Sequence, residues 1–428
     1  MTGQQTLFFR VALGLAAGVV SVLLVSLPRL QTISNRRFDR LLFTSFAGSR
    51  LGIFGLVFLA LRIAPRGDVQ AYYMQQAEWV LRGLLPYRDF VSSYAPLHPY
   101  LDAGLISLWH TPLAIMLFSV LAELLLLPLW MRAGREFLPE GNLRGAALLY
   151  LASPISLQFV TIDGQDNVVI AVLIAFALLL VLRSHVAAAG AALGASVSAF
   201  KFLPLLYAPV FLAAVPRRWR LLLGAVLVCG AAYGGFALLH APILTPLSAE
   251  GGLRTAGNLP YVIETIFGVT LPARLTDGCL LLVLLGIFAA AGRAAYRAEM
   301  DVRMRALTSG MAAATLALLV LSKKSWPPYL VLALFPVCLL AREESGSRLR
   351  NGLRVAGFAL FSLIAVAEHS YWSSIFAQFS SAEFHARLSS GHAGVRVLLA
   401  VELLLVAGYL GLLWEAMRRL LFRKSVAT

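Results

Sequence analysis

The chain has little charge. Asp, Glu, Lys and Arg together make up 13% of its 428 residues, against about 25% in a soluble globular domain. No hydrophilic stretch is long enough to form a separate soluble domain, so residues 1–428 read as one membrane domain. Cysteine is scarce. Cys229, Cys279 and Cys338 lie in or beside apolar runs without metal-ligand spacing, so they read as small buried hydrophobes. Neither a Walker A sequence nor a dinucleotide fingerprint is present, so no nucleotide-binding domain is expected. Lysine is rare too, at Lys201, Lys323, Lys324 and Lys424, and nearly all the positive charge is arginine.

What is present is apolar: 59% of the residues are hydrophobic. About thirteen runs approach the ~20 residues a helix needs to cross a bilayer. They fall near 7–28, 51–65, 111–131, 145–160, 168–182, 187–200, 202–216, 221–240, 276–292, 306–322, 329–341, 352–367 and 396–416. The expected fold is an all-α polytopic transmembrane bundle. The first run has only Arg10 before its core and is longer than a signal-peptide core, so it reads as a retained membrane helix.

The net charge of +15 reports topology and not nucleic-acid binding. Arginines cluster in alternate loops, and that set holds 24 of the 36 Lys plus Arg, from Arg29 to Lys424. The bias places this set in the cytoplasm, with the N-terminus outside and the C-terminus inside. Arg183 and the Arg217–Arg220 cluster both belong to it. Residues 187–216 satisfy that if they form two short helices with Lys201 near the outer turn; one long helix would invert all that follows. Gly190, Gly194 and Ser198 recur every four residues, as on a closely packed helix face.

The outer loops are then 66–110, 161–167, the turn at Lys201, 241–275, 323–328 and 368–395, and they hold most residues of catalytic potential. In 66–110, Tyr73, Ala77, Val80, Leu81 and Leu84 recur at helical spacing, which predicts an amphipathic helix along the outer interface. Asp68 precedes it. One reading makes Asp68 the helix N-cap, without a capping-box partner because Ala71 stands where Glu or Gln would. The other makes it a general base at the membrane edge, taking a proton from a sugar hydroxyl.

Three of the four lysines fall on the outer side, against the positive-inside trend. Lys201, between two apolar runs, is either a snorkelling residue or a functional cation. Asp163 and Asp166 either position substrate or cap the helix that opens near Asn167. His98, in Leu97-His98-Pro99, and His369, after Glu368, read first as structural and second as substrate-positioning. Trp326, Tyr329, Tyr371 and Trp372 read as interfacial belt residues.

The order of these patches resembles the GT-C superfamily of membrane glycosyltransferases, which use polyprenyl-phosphate sugars as donors. The likeness runs through Asp68, Tyr72 or Tyr73, Gly83 with Pro86 and Tyr87, then Tyr94, Pro96 and Leu97. It continues in Gly164-Gln165-Asp166-Asn167, Lys201 with Pro204, and Ser322–Tyr329. It is nearest to glycosyltransferase family 87, the polyprenol-phosphate-mannose mannosyltransferases. The first run and its basic loop are extra to that pattern, and no Asp-x-Asp stands at Asp68.

The resemblance implies a GT-C type bundle with interfacial helices in 66–110 as the external catalytic loop. It implies transfer of a hexose, mannose by expectation, to a lipid or glycan acceptor on the non-cytoplasmic face. Asp68 would be the base. Lys201, Lys323, Lys324 and Arg254 would bind the donor phosphate. Tyr72, Tyr73, Tyr87, Tyr94, His98, Asp163, Gln165, Asp166, Asn167 and His369 would position substrate. Neither metal nor cofactor is expected, and the partners are the lipid-linked sugar, the acceptor and membrane lipids, with no nucleic acid. A lipid-linked-sugar flippase or transporter is the alternative, though no internal repeat supports it. The Arg-, Ala- and Leu-rich usage points to a bacterial plasma (inner) membrane.

Overall fold

A computed structural model describes residues 3–342, 348–374 and 379–422. Arg423 and Lys424, counted above among the cytoplasmic charges, lie outside these residues. Every described regular element is helical. Helix α1 is Gly3–Ser26, and α2 is Asn35–Phe54, extended by a π turn over Gly55–Ala60. A π turn at Val69–Tyr73 leads into α3, Met74–Leu81. Next come α4, His98–Leu108; α5, Pro112–Gly134; α6, Glu140–Leu151; α7, Asn167–Leu182; and α8, Val186–Ala199. A 3-10 turn at Leu203–Tyr207 opens into α9, Ala208–Ala214, and α10 is Arg218–Leu238. The chain continues with α11, Leu259–Phe267; α12, Ala273–Ala295; and α13, Met300–Leu321. A 3-10 turn at Pro327–Ala333 precedes α14, Leu334–Leu340; then come α15, Arg348–Ser374; α16, Ser381–Ser389; and α17, Ala393–Leu421.

Each of the thirteen apolar runs has a helical counterpart. Eight are long and apolar enough to cross a bilayer. A ninth is the pair Glu140–Leu151 and Pro154–Ile162, bent by 40°. The bend falls at Pro154, which cannot donate to the helical ladder, and the Ser153 hydroxyl caps the restarted turn. The other four, Asn167–Leu182, Val186–Ala199, Leu203–Ala214 and Pro327–Leu340, are shorter. The second span differs most from expectation. It begins at Asn35, not near 51, because Phe38, Leu42, Phe46 and Phe54 give the arginine-rich stretch one continuous buried stripe.

The chain divides into two compact units. The first comprises Met1–Ser34, Leu138–Gln158 and Leu253–Thr428. Within it, α1 packs on α15, α13 on α12 and α17, and α6 on α14. Arg144 of α6 is buried and donates to the carbonyls of Leu30, Gln31 and Ile33, so it holds a helix end and is not a loop charge.

The second unit comprises Asn35–Phe137 and Phe159–Gly252. Here α8 packs along α10, α5 along α7, and α3 against α4. The first contact is backbone against backbone. A Cβ added at Gly190 would stand 1.9 Å from the Leu221 carbonyl oxygen, and one at Gly224 2.0 Å from that of Ala187. The small-residue face of α8 is therefore a contact surface, and residues 187–216 form two helical pieces with Lys201 at the break.

The expected amphipathic helix is shorter than its pattern. Gly83, at φ +83, ends it in a Schellman turn: Gly83 N–H donates to Val80 and Leu84 N–H to Trp79. Leu84 thus leaves the helix, and the buried stripe is Tyr73, Gln76 and Ala77, while Leu81 and Leu84 are exposed.

Candidate functional site

The second unit gathers much of the anticipated site. Its scaffold is the turn at Asp163–Asn167. Gly164 has φ +66, and a Cβ there would meet Met116 Cγ of α5 at 2.6 Å. The turn therefore lies directly on α5, where Ser119 Oγ donates to the Gly164 carbonyl at 3.3 Å. Only glycine meets both demands. The residues after it then face one place. Gln165 Nε2 donates to Asp68 Oδ2 at 3.3 Å, and Asn167 Nδ2 to Gln165 Oε1 at 3.4 Å.

A second strap brings in His98. Ala95 N–H donates to the Phe200 carbonyl at 3.0 Å, and Leu97 N–H to that of Ser198 at 3.1 Å. Both acceptors are carbonyls left over at the C-terminal end of α8. The Tyr94–Leu97 stretch is thereby pinned beside Lys201, and α4 starts from it at His98. Tyr87, with φ +70, steadies the strap through a 2.5 Å bond from its hydroxyl to the Tyr94 carbonyl.

The result is a buried ionic cluster. Asp166 accepts from Lys201 Nζ at 2.6 Å and Tyr73 Oη at 3.1 Å, and its other oxygen is 3.1 Å from His98 Nε2. His98 Nδ1 stands 3.2 Å from Asp102 Oδ2, close enough for an ion pair but outside hydrogen-bond geometry. Lys201 also donates to Asn167 Oδ1 at 3.4 Å and lies over the Tyr94 ring at 5.4 Å. Tyr94 stacks on His98 with centroids 4.7 Å apart, and Tyr73 meets both rings edge-on.

Burial and charge compete in this cluster, which lies outside the long spanning helices. Burial would raise the Asp166 pKa, but the Lys201 charge and the His98 bond outweigh it and hold the carboxyl well below its usual range. Burial would lower the His98 pKa. The Asp102 charge and the Asp166 hydrogen bond overcome that, and the imidazole is raised above its ordinary value. For Asp102 burial wins, with His98 only partly offsetting it, and the carboxyl is pushed up to about 6. Burial, then Asp166, raise the Tyr73 phenol.

The sequence readings fare differently. Asp68 occupies the N-cap position before Val69, yet its side chain makes no cap bond. Asp166 likewise precedes α7 without capping it. The capping reading fails for both, because Gln165 engages the Asp68 carboxylate and three side chains engage that of Asp166. Between Tyr72 and Tyr73, it is Tyr73 that enters the cluster; Tyr72 is exposed. Asp163 is buried beside Gly164. Lys201 is not a bare cation, since a partly buried ammonium needs a partner to offset lost hydration.

Arg254, Lys323, Lys324 and His369 belong to the first unit. Lys323 Nζ donates to Asp277 at 2.9 Å. Arg254 pairs with Glu264 and donates to the Leu271 carbonyl, so it too is engaged. Thr255 N–H donates to the Lys323 carbonyl at 3.0 Å, which ties the loop of Arg254 to that of Lys323 and Lys324. His369 meets Trp326 edge-on at 6.4 Å. Trp372, read as a belt residue, is instead buried and donates to Glu402 Oε1 at 2.9 Å.

Asp102 was missed as a site residue. Its signal was present in the sequence: on α4 it stands four residues from His98, on the same helix face. Glu402 was missed inside an apolar run. It accepts Gly257 N–H at 2.7 Å as well as the Trp372 indole. Among the described residues no group of three or more His, Cys, Asp or Glu could hold a metal ion.

Composition and the long apolar helices make this an all-helical, multi-pass membrane protein. No family model and no curated protein matches the chain. Two chains among solved structures match it. One is the crystal structure of ArnT from Cupriavidus metallidurans bound to undecaprenyl phosphate. It is 16% identical, with 88% of this chain and 76% of that chain covered and a TM-score of 0.46. A likeness of that size carries no argument about function.

Proposed function

We propose that the protein is a membrane glycosyltransferase of GT-C type, moving a sugar from a polyprenyl-phosphate donor to a lipid or glycan acceptor on the non-cytoplasmic side. The observation that carries this reading is the pairing of Asp68 with Lys201 through one scaffold. Asp68 is half-buried and held by Gln165. Two residues on, Asn167 accepts from Lys201. A carboxylate base and a cation thus share one hydrogen-bonded framework, with tyrosine rings beside it. The family likeness of the surrounding motifs supplies the substrate class, with mannose as the expected sugar.

In the reaction Asp68 takes the proton of an acceptor hydroxyl as its oxygen bonds to the anomeric carbon. The bond from that carbon to the phosphate oxygen breaks, and polyprenyl phosphate leaves with its electron pair. Lys201 stabilises the charge that builds on that oxygen. The leaving group is a lipid phosphate and not a nucleotide, so no nucleotide-binding domain is required.

The test is sugar transfer from radiolabelled polyprenyl-phosphate mannose to a membrane lipid extract. Purified wild type should transfer, and Asp68→Asn should lose about 10²-fold or more in turnover while still binding donor. Equal transfer by both would remove Asp68 as base. Movement of lipid-linked sugar across vesicles without any transfer would replace the enzyme by a flippase.

A further inference from the structure

The arrangement of His98 goes beyond a structural support. Both ring nitrogens face carboxylates from different elements: Asp102 on α4 at 3.2 Å and Asp166 before α7 at 3.1 Å. Asp166 in turn holds Lys201 at 2.6 Å. The side chains of His98, Asp102 and Asp166 are 2%, 3% and 5% exposed, whereas that of Lys201, at 14%, is the most exposed of the four. The charged groups acting on His98 are these three, and Tyr94, Tyr73 and Phe200 wall the ring.

With His98 protonated, two cations balance two carboxylates. With His98 neutral, the cluster carries one uncompensated negative charge. Resting on the reading that a donor phosphate binds at Lys201, we propose that His98 is a positioning residue for the donor. As an imidazolium clamped between Asp102 and Asp166, it keeps the whole cluster, Lys201 included, neutral and so lets a phosphodiester anion approach. Loss of that proton turns the same cluster repulsive. At partly buried positions one unit of charge a few ångströms away is enough to change binding tenfold or more.

The probe is farnesyl methyl phosphate, a diester whose single charge does not titrate in the range used. Its binding to full-length protein in nanodiscs is measured from pH 6.5 to 9.5. For wild type the Kd should rise about tenfold as His98 loses its proton. His98→Asn takes from Asp102 the cation that holds its carboxyl down, so it is compared at pH 9.5 only, where it should bind as weakly as wild type. Asp102→Asn removes one negative charge, so at pH 9.5 it should bind about tenfold tighter than wild type, a gain that misfolding cannot produce. Lys201→Met should bind poorly throughout. If Lys201→Met weakens binding but wild type shows no pH dependence, or Asp102→Asn gains nothing, the role of His98 is overturned and the phosphate site stands. If Lys201→Met binds like wild type, the placement of the phosphate falls, and His98's role with it.

Discussion

Asp166 carries more of the site than any other single side chain. One carboxylate neutralises an ammonium, meets an imidazole and accepts a phenol. Asp166→Asn leaves Lys201 and His98 without their shared counter-charge and should cost about 3 kcal/mol in chemical denaturation. Tyr73→Phe removes one neutral donor and should cost about 1 kcal/mol. The pH dependence has a definite sign. A raised His98 pKa stabilises the fold below the unfolded value, and the gain is lost as pH rises through the folded value. The difference in Tm between wild type and His98→Asn should therefore shrink between pH 6 and pH 9. The lowered Asp166 pKa works oppositely and matters only in acid, where its contribution is lost as the carboxyl takes a proton.

Among the elements, the α8–α10 contact leaves the least room. Gly190→Ala would drive a methyl into the Leu221 carbonyl at 1.9 Å, so the helices must separate. A drop of several degrees in Tm is expected, together with weaker donor binding, because α8 supplies the carbonyls that anchor the strap before His98. Gly230→Ala on α10 meets nothing within 4 Å and should leave Tm unchanged or slightly raised, since alanine is the better helix former. A second tie joins α2 to α5: Arg50 and Glu123 pair at 3.2 Å with both side chains 0% exposed. Glu123→Ala strands a buried guanidinium and should cost about 3 kcal/mol. The double change Arg50→Met with Glu123→Leu should recover most of that loss.

Over the whole molecule the claim to test is orientation. Two of the arginines counted as cytoplasmic, Arg50 and Arg144, are buried inside their units and carry no topological information. The remaining loop charges still favour the same side. In a background without Cys229, Cys279 and Cys338, a cysteine at Arg88 should react with an impermeant maleimide from outside intact cells. One at Arg297 should react only after permeabilisation. The reverse pattern would put Asp68 and Lys201 on the cytoplasmic face and remove the proposed site from its substrate.

Hydrophobic runs determined that the chain is helical and membrane-embedded, because a bilayer demands long uncharged segments with internally satisfied backbones; the break near Lys201 was read from the arginines on either side of 187–216. The same runs could not set helix length where turns or long-range packing intervene, as at Gly83 and at Asn35–Phe54. Motif reading singled out Asp68, Gln165, Asp166, Asn167 and Lys201 as candidates, since polar residues at helix ends stand out against an apolar background. It could not say which side chains are partners. Asp166 is 35 residues from Lys201 and 68 from His98, and the choice of Tyr73 over Tyr72 depends on which way the π turn faces. Pairing across such separations follows from packing: Gly164 seated on α5, and the Tyr94–Leu97 strap hydrogen-bonded to the end of α8. Only tertiary structure could turn scattered polar residues into one buried ionic cluster, because the low dielectric that makes each pair matter exists only once the helices enclose it.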